Sequence, residues 1–215
     1  MKSITSYCFL IADDHSIVRN GLALVIKSTF DNVVLYQAAN FDEIKNQVAE
    51  IKIDLLILDI NFPEGNTLSI LPQLKTLQPN MKILIFTSYD EDVYALRYIR
   101  AWADGYLSKL CSPEEIQLAI TRIMTEGKYM SSILNTKIID SFMLKTTDNP
   151  LEKLSERELE IATLLVKGFG NLEISNELNL KTTTVSTYKA RIFEKLEVTN
   201  LPALIQKFEL YKEAL

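Results

Sequence analysis

The sequence predicts an α/β domain with a flavodoxin-like, doubly wound, five-stranded parallel sheet, followed by an all-α domain of four helices. Short apolar runs alternate with segments of helical periodicity over residues 7–126. Residues 154–214 keep the helical periodicity and show no strand pattern. We therefore expect a first domain over residues 1–127, a linker that contains a helix over residues 128–153, and a helical domain over residues 154–215.

The predicted strands are apolar runs with polar or turn residues at their ends, which is typical of strands buried on both faces of a parallel sheet. They lie at residues 7–12, 33–38, 55–58, 82–87 and 104–109. The segments between and after them predict helices at about 16–30, 41–51, 67–77, 90–101 and 113–126. Ser112 and Pro113 mark the start of the last helix, because serine caps a helix and proline fits its first turn.

Polar side chains follow four of the predicted strands, at the sheet edge where ligands of doubly wound folds bind. They are Asp13, Asp14, Asp59, Thr87 and Lys109. Three converging carboxylates would repel one another unless a cation lay among them, and Mg²⁺ prefers such oxygen ligands. The hydroxyl and the ammonium group can hold the oxygens of a phosphoryl group on Asp59. Each residue alone also fits a helix cap, a strand end or a solvated lysine, so the hypothesis depends on their joint spacing.

This set resembles the receiver domain of two-component response regulators over roughly residues 5–127, through the motifs ADDH, LILD followed by Pro63, IFTS and GYLSK. The resemblance implies that Asp59 is the phospho-acceptor for a sensor histidine kinase. It also implies that Mg²⁺ is bound by Asp14, Asp59 and the backbone carbonyl of Asn61, while Asp13 acts through water.

By the same resemblance, Thr87 and Lys109 bind the phosphoryl oxygens. Tyr106 is placed like the family's switch aromatic, whose ring turns inward as Thr87 moves toward the phosphate, although a strand aromatic can also be plain core. Thr67 departs from the family, which usually has glycine there. This departure leaves the loop geometry open, and Gly65 could supply the flexibility.

The second domain contains start signals for several helices. Ser155 and Glu158 form a capping box for the first. Asn171 is expected to cap a short helix over residues 172–178, a longer helix follows over residues 182–196, and Pro202 opens the last. In the linker, residues 131–144 predict a helix, and the polar stretch KTTDNPLEK predicts a flexible connection.

A short helix, a tight turn and a longer helix are the helix-turn-helix pattern, whose second helix enters the major groove of DNA. Val185, Tyr188, Ile192 and Leu196 should face inward. The residues left to face outward are Thr183, Ser186, Thr187, Ala190 and Arg191, with Lys189 at the flank. Lys181, Lys189, Arg191 and Lys195 against Glu194 give a local charge of +3, which suits phosphate contacts. An ordinary four-helix bundle with a solvated basic face is the alternative.

Two segments, LSERELEIATLLVKGFGNLEISNELNL and TVSTYKARIFEKL, resemble the LuxR-type helix-turn-helix over about residues 151–212. With the receiver, the whole chain resembles the NarL/FixJ class of response regulators, closest to its BvgA/EvgA-like branch. The resemblance implies that the residues nearest the bases are Ser186, Thr187 and Ala190. Lys189 and Lys195 are then phosphate contacts, and Thr184 is a backbone-phosphate or capping contact.

Composition excludes several other classes of protein. With two cysteines and one histidine, a disulfide scaffold, a zinc site and a Ser-His triad are not expected. The apolar stretch near the start is too short for a signal peptide or a membrane span, so we expect a cytoplasmic protein with no membrane partner. The net charge of −5 counts mildly against nucleic-acid binding, and the local basic helix outweighs it.

These observations predict a transcription factor, not an enzyme, that binds promoter DNA as a homodimer under control of Asp59 phosphorylation. The last helix, with Leu204, Ile205, Phe208 and Tyr211, could form the dimer contact or pack only within its own domain. An aspartyl-phosphate hydrolase is one rival, but the second catalytic aspartate it would want at position 61 is an asparagine. The other rival is a phosphorylation-independent DNA-binding regulator that uses the receiver as a dimerisation module.

Overall fold

A computed structural model describes residues 6–132, 134–136 and 149–211. The chain divides into two compact units, Met1–Asn135 and Thr136–Leu215, so the division falls inside the predicted linker. The helix predicted at residues 131–144 lies largely outside the described residues, although residues 132 and 134–136 are helical. Within the described ranges, no helix combines the length and apolar character that a membrane crossing requires.

A five-stranded parallel sheet forms the centre of the first unit, as predicted. The strands of this unit are β1 (Tyr7–Ala12), β2 (Val33–Ala38), β3 (Leu55–Leu58), β4 (Asn61–Phe62), β5 (Gly65–Asn66), β6 (Lys82–Thr87) and β7 (Gly105–Ser108). The main sheet has the order β2-β1-β3-β6-β7, the flavodoxin-like order, and β3 is buried at all four residues. Strands β4 and β5 form a separate antiparallel hairpin that the sequence did not predict.

The helices of the first unit are α1 (Ser16–Thr29), α2 (Phe41–Glu50), α3 (Leu71–Leu77), α4 (Glu91–Arg100) and α5 (Pro113–Glu126). Helices α1 and α5 pack against each other and cover one face of the sheet through a shared apolar core. Ser112 caps α5 as predicted, since its side chain accepts a hydrogen bond from the Glu115 amide. The predicted start of α3 at Thr67 is wrong, because Thr67–Ser69 form a 3₁₀ turn before the helix.

The second unit is helical, with α6 (Glu156–Val166), α7 (Asn171–Glu177), α8 (Thr182–Lys195) and α9 (Leu201–Tyr211) after a 3₁₀ turn. The capping box of Ser155 and Glu158 is confirmed at the start of α6. The cap predicted for α7 is wrong by one position, because Gly170 is the cap and donates its amide N–H to Glu173. Helix α8 packs against both α6 and α7, as the longer helix of a helix-turn-helix does.

Candidate functional site

The carboxyl ends of β1, β3 and β7 bring two carboxylates to one lysine. The Lys109 Nζ atom lies 2.7 Å from Asp13 Oδ2 and 2.9 Å from Asp59 Oδ2. The side chains of Asp13 and Asp59 are almost fully buried, at 2% and 7% exposure. Because a buried carboxylate is costly unless it is paired, Lys109 stabilises both.

Backbone hydrogen bonds between neighbouring strands continue past the strand ends and hold these residues in place. The Asp59 amide donates to Ala12 O at 2.9 Å, and the Lys109 amide donates to Thr87 O at 2.8 Å. Thr87 is fully buried, and its hydroxyl oxygen accepts a 3.4 Å hydrogen bond from the Tyr89 amide. The structure therefore brings Asp13, Asp59, Thr87 and Lys109 to one sheet edge, where the sequence placed them.

The electrostatics of the site follow from burial and mutual charge. Burial raises the pKa of the Asp59 carboxyl above its ordinary value, although the Lys109 ammonium opposes the shift. For Lys109, burial lowers the pKa, but the charge of Asp59 and the hydrogen bonds to Asp13 and Asp59 outweigh it and leave the pKa raised. Lys109 is therefore a fixed positive charge at neutral pH.

His15 and Arg19 belong to the site, and the sequence reading missed both. The His15 Nδ1 atom lies 2.7 Å from Asp14 Oδ1 and 3.3 Å from Asp13 Oδ1. Arg19 donates to the backbone carbonyls of Asp13 at 2.6 Å and Asp14 at 3.2 Å, which fixes the loop after β1. His15 could have been found from its position directly after Asp13 and Asp14. No sequence pattern indicated that Arg19 contacts the loop after β1.

The acidic site fits a divalent cation by its donor chemistry. Asp13, Asp14 and Asp59 supply hard carboxylate oxygens, which Mg²⁺ prefers. Lys109 offsets part of their charge, and the 28% exposure of the Asp14 side chain gives a hydrated ion access to that carboxylate. Asn61 follows Asp59 by two residues and lies exposed on β4, and the role of its carbonyl stays a prediction.

Thr67 holds the loop that carries Asp59. Its hydroxyl donates toward the backbone carbonyls of Asp59 at 3.0 Å and Ile60 at 3.1 Å, and its side chain is fully buried. Gly65 has φ of +137°, a conformation that side chains rarely adopt, and it is the first residue of β5, directly after the turn of the hairpin. The residue that departs from the family's glycine thus fixes the loop through its own hydroxyl.

We expect Thr67→Val to destabilise the first unit by about 1–2 kcal/mol, because the similar shape is kept while a buried hydroxyl contact to two carbonyls is lost. Urea unfolding measured by circular dichroism would give the change in free energy. Thr67→Ser is the matched control, since it keeps the hydroxyl. A valine variant as stable as wild type would show that the hydroxyl contributes nothing to the loop.

Tyr106 lies in the inward position in this structure. Its side chain is 1% exposed, and its hydroxyl donates a 3.1 Å hydrogen bond to Tyr89 O. Tyr89 is also the residue whose amide contacts the Thr87 hydroxyl, so Thr87 and Tyr106 meet at one short loop. The switch role of Tyr106 stays a prediction. In this geometry a movement of Thr87 would reach the Tyr106 hydroxyl through Tyr89.

The outer face of α8 has the exposure that the sequence predicted. The exposed residues are Lys181, Thr183, Ser186, Thr187, Ala190, Arg191 and Lys195, while Thr184 and Lys189 are partly buried. Val185, Ile192 and Leu196 are buried, and Tyr188 is only partly so. The side-chain amide Nδ2 of Asn171 donates to Ser186 Oγ at 3.0 Å, which joins α7 to α8 beside this face. The DNA contacts themselves stay predictions.

Two of the basic side chains have contacts within the domain. Lys195 Nζ lies 2.6 Å from Glu158 Oε2, and that carboxylate is 4% exposed. This ion pair competes with the phosphate contact predicted for Lys195. The Arg191 guanidinium lies 6.0 Å from the Tyr188 ring centre, an orientation that leaves it on the exposed side of α8.

The last helix uses part of its apolar side within its own domain. Leu204 and Phe208 are buried, and Leu196 O accepts a 2.6 Å hydrogen bond from Lys207. Ile205 and Tyr211 are partly exposed. A dimer contact through α9 would therefore use Ile205 and Tyr211, not the full apolar set that the sequence offered.

Two family models match the chain, one in each of its two parts. The family model for the response regulator receiver domain matches residues 9–121, and that for bacterial regulatory proteins of the luxR family matches residues 152–208. The oxygen regulatory protein NreC of Staphylococcus haemolyticus (strain JCSC1435) is 33% identical over 204 residues, which cover 92% of this chain and 94% of NreC. The BvgA/EvgA-like branch stays a prediction.

Solved structures of RcsB are similar in fold. RcsB from Salmonella enterica serovar Typhimurium, bound to promoter rprA in the presence of the phosphomimetic BeF3−, has a TM-score of 0.60 at 20% identity, covering 95% of this chain and 99% of that one. A structure of two RcsB dimers bound to two parallel DNAs has a TM-score of 0.58 at 22% identity, covering 95% and 98%. At these identities the likeness shows the fold alone.

Proposed function

Because the chain belongs to the response regulators of the NarL/FixJ class, which join a receiver domain to a LuxR-type helix-turn-helix and regulate transcription by binding DNA, we propose that phosphorylation of Asp59 controls its binding to promoter DNA. The observation that carries the proposal is the pairing of Lys109 with both Asp13 and Asp59 beside the buried Thr87. A sensor histidine kinase is the proposed phosphodonor.

Each residue of the site has a separate role in phosphoryl transfer. The Asp59 Oδ atom nearer the donor forms a bond to phosphorus as the bond between phosphorus and the donor nitrogen breaks. Lys109 then holds a phosphoryl oxygen in place of the Asp59 carboxylate oxygen that it contacts at 2.9 Å, and Thr87 donates its hydroxyl to another. Asp14, Asp59 and the Asn61 carbonyl would hold Mg²⁺, with Asp13 acting through water, and the bound ion would neutralise charge on the transferring phosphoryl group.

The DNA-binding half of the proposal assigns the exposed face of α8 to the major groove. Ser186, Thr187 and Ala190 allow close approach to base edges, and Lys189 and Arg191 supply positive charge. The RcsB structures described as DNA-bound, one of them with RcsB dimers, support promoter DNA and a homodimer as partners. Binding to the chromosome would place the protein in the cytoplasm.

The proposal is tested by incubating the protein with acetyl phosphate, with and without Mg²⁺, and measuring intact mass, light scattering and promoter affinity. We expect the gain of one phosphoryl group only with Mg²⁺, together with tighter DNA binding. No gain of mass with acetyl phosphate or with a cognate kinase would overturn the proposal. DNA binding that is tight and unchanged on phosphorylation would favour the rival regulator that uses the receiver only for dimerisation.

A further inference from the structure

The start of the linker runs along the free edge of the sheet. Strand β7 is the last strand in the sheet order, so among the described residues its outer edge has no neighbouring strand. Tyr129 forms an isolated parallel bridge with Gly105, and its amide donates a 3.0 Å hydrogen bond to Asp104 O. Residues 129–131, the edge segment, therefore lie beside the strand that carries Tyr106.

This close approach requires glycine at position 105. A Cβ atom there would come within 2.9 Å of Tyr129 O and 2.9 Å of Ile123 Cδ1, which is closer than real Cβ atoms approach. The edge segment is also anchored by side chains. Tyr129 is 8% exposed, and its hydroxyl donates a 3.3 Å hydrogen bond to Glu115 Oε1 on α5. The edge segment is therefore fixed to the receiver fold by main-chain and side-chain contacts.

A surface cavity of about 210 Å³ separates Tyr106 from the edge segment. Its lining includes Tyr106, Cys111, Glu115, Tyr129 and Ser131. The cavity is large enough to receive a phenol ring, and Tyr129 and Ser131 form part of its wall. Burial is the main cause of the raised pKa of both phenols, and the Glu91 carboxylate, which also lines the cavity, contributes to both shifts.

We propose that Tyr129 is a positioning residue that transmits the state of the Tyr106 ring to the linker. Without a phosphodonor, the Tyr106 ring exchanges between its buried position and the cavity, and in the cavity it packs on Tyr129 and Ser131, which tightens the edge segment against β7. When the ring is inward, bonded to Tyr89 O, that contact is absent and the edge segment is held less tightly. The inference rests on the proposed function, because it makes the linker a reader of the phosphorylation switch.

Two variants of Tyr106 separate this role from a structural one, because they should act in opposite directions. Tyr106→Phe keeps the ring but loses the hydrogen bond that holds it inward, so the ring should occupy the cavity more often. Tyr106→Ala removes the ring from the cavity altogether. Simple destabilisation of the receiver would loosen the edge segment in both variants.

The measurement is amide hydrogen exchange of residues 128–132 in the full chain without phosphodonor, followed by mass spectrometry. Relative to wild type, we expect exchange slower by about threefold or more in Tyr106→Phe and faster by a similar factor in Tyr106→Ala. Tyr36→Phe on β2, at the opposite sheet edge, is the matched control and should behave as wild type. Equal exchange in wild type and Tyr106→Phe, or a change of the same sign in both variants, would overturn the proposal.

A second arm adds acetyl phosphate and Mg²⁺ and follows intact mass in the same samples. In phosphorylated wild type, exchange of residues 128–132 should rise, and the rise should be absent in Tyr106→Ala. A rise of equal size in Tyr106→Ala would overturn the role of the ring. If the mass changes neither with acetyl phosphate nor with a cognate kinase, the proposed function fails, whereas the comparison of the two Tyr106 variants without phosphodonor still decides this inference.

Discussion

Asp59→Asn is expected to abolish phosphoryl transfer to the chain while leaving the receiver folded. The amide of asparagine is not a nucleophile toward phosphorus, so no covalent product can form at this position. The variant should also lose any gain of promoter affinity that wild type shows with acetyl phosphate and Mg²⁺. Intact mass and a DNA-binding titration, made on the same samples, check both parts of this prediction.

The fold should tolerate this change because the site holds more carboxylates than its lysine can neutralise. Without the Asp59 charge, Lys109 still pairs with Asp13 at 2.7 Å, and repulsion between the buried carboxylates falls. We therefore expect unchanged or slightly higher stability, by up to about 1 kcal/mol, in buffer without Mg²⁺. Added Mg²⁺ should raise the melting temperature of wild type more than that of the variant, because one ligand is lost.

Asp54→Asn is the matched control for this prediction. Asp54 lies at the other end of β3, where its side chain accepts a 2.8 Å hydrogen bond from the Cys8 amide. Asparagine can accept the same hydrogen bond, so phosphorylation should equal that of wild type. A mass gain that survives in Asp59→Asn would place the acceptor elsewhere and would refute the assignment of Asp59.

The sheet could be predicted from the sequence because its strands are buried on both faces. A run such as Leu55–Leu58 then needs only apolar residues, and the chain must end the run with a polar residue where it leaves the core. Since all five strands are parallel, those polar ends fall on one edge. The positions of Asp13, Asp59, Thr87 and Lys109 followed from this rule.

The parts that could not be predicted depend on contacts between loops. Each strand of the β4–β5 hairpin has only two residues, which is too short to produce a periodic pattern. Thr67 was assigned to the first turn of a helix, but its buried hydroxyl contacts two carbonyls, Thr67–Ser69 form a 3₁₀ turn, and the helix begins at Leu71. A contact of this kind depends on where the loop folds back, which local sequence does not determine.

In the helix-turn-helix too, residues that follow a periodic pattern could be predicted, whereas contacts between distant residues could not. Periodicity identified the inward residues Val185 and Ile192 because one face of a helix repeats every three to four residues. The pairing of Lys195 with Glu158 joins residues 37 positions apart. The capping box alone accounts for Glu158 in the sequence, so no local pattern predicts its contact with Lys195.

Arg191→Ala is expected to weaken promoter binding by about tenfold or more, since an arginine that reads or clamps DNA contributes about 1–3 kcal/mol. Arg191 is exposed on the outer face of α8, and its guanidinium stays within 6.0 Å of the Tyr188 ring. Lys189→Ala should lower the salt dependence of binding by about one ion, as loss of one phosphate contact does. Fluorescence anisotropy over a series of salt concentrations measures both effects.

Lys195→Met should behave differently, although Lys195 lies on the same basic helix. Its ammonium pairs with Glu158, whose pKa is lowered because Lys195 and Ser155 outweigh the effect of burial. The pair therefore stabilises the domain at neutral pH, and this contribution is lost as the pH falls toward the lowered pKa. Because Lys195 is itself 41% exposed, we expect a loss of about 1–2 kcal/mol in unfolding free energy.

The promoter affinity of Lys195→Met and its dependence on salt decide between the two roles of this lysine. If the ion pair with Glu158 persists on DNA, the salt dependence should equal that of wild type, and the stability loss should shrink at acidic pH as Glu158 protonates. A salt dependence lower by about one ion, as expected for Lys189→Ala, would show that Lys195 leaves Glu158 for a phosphate. In that case DNA binding would break the ion pair at the start of α6, and Lys195→Met would lose promoter affinity in addition to stability.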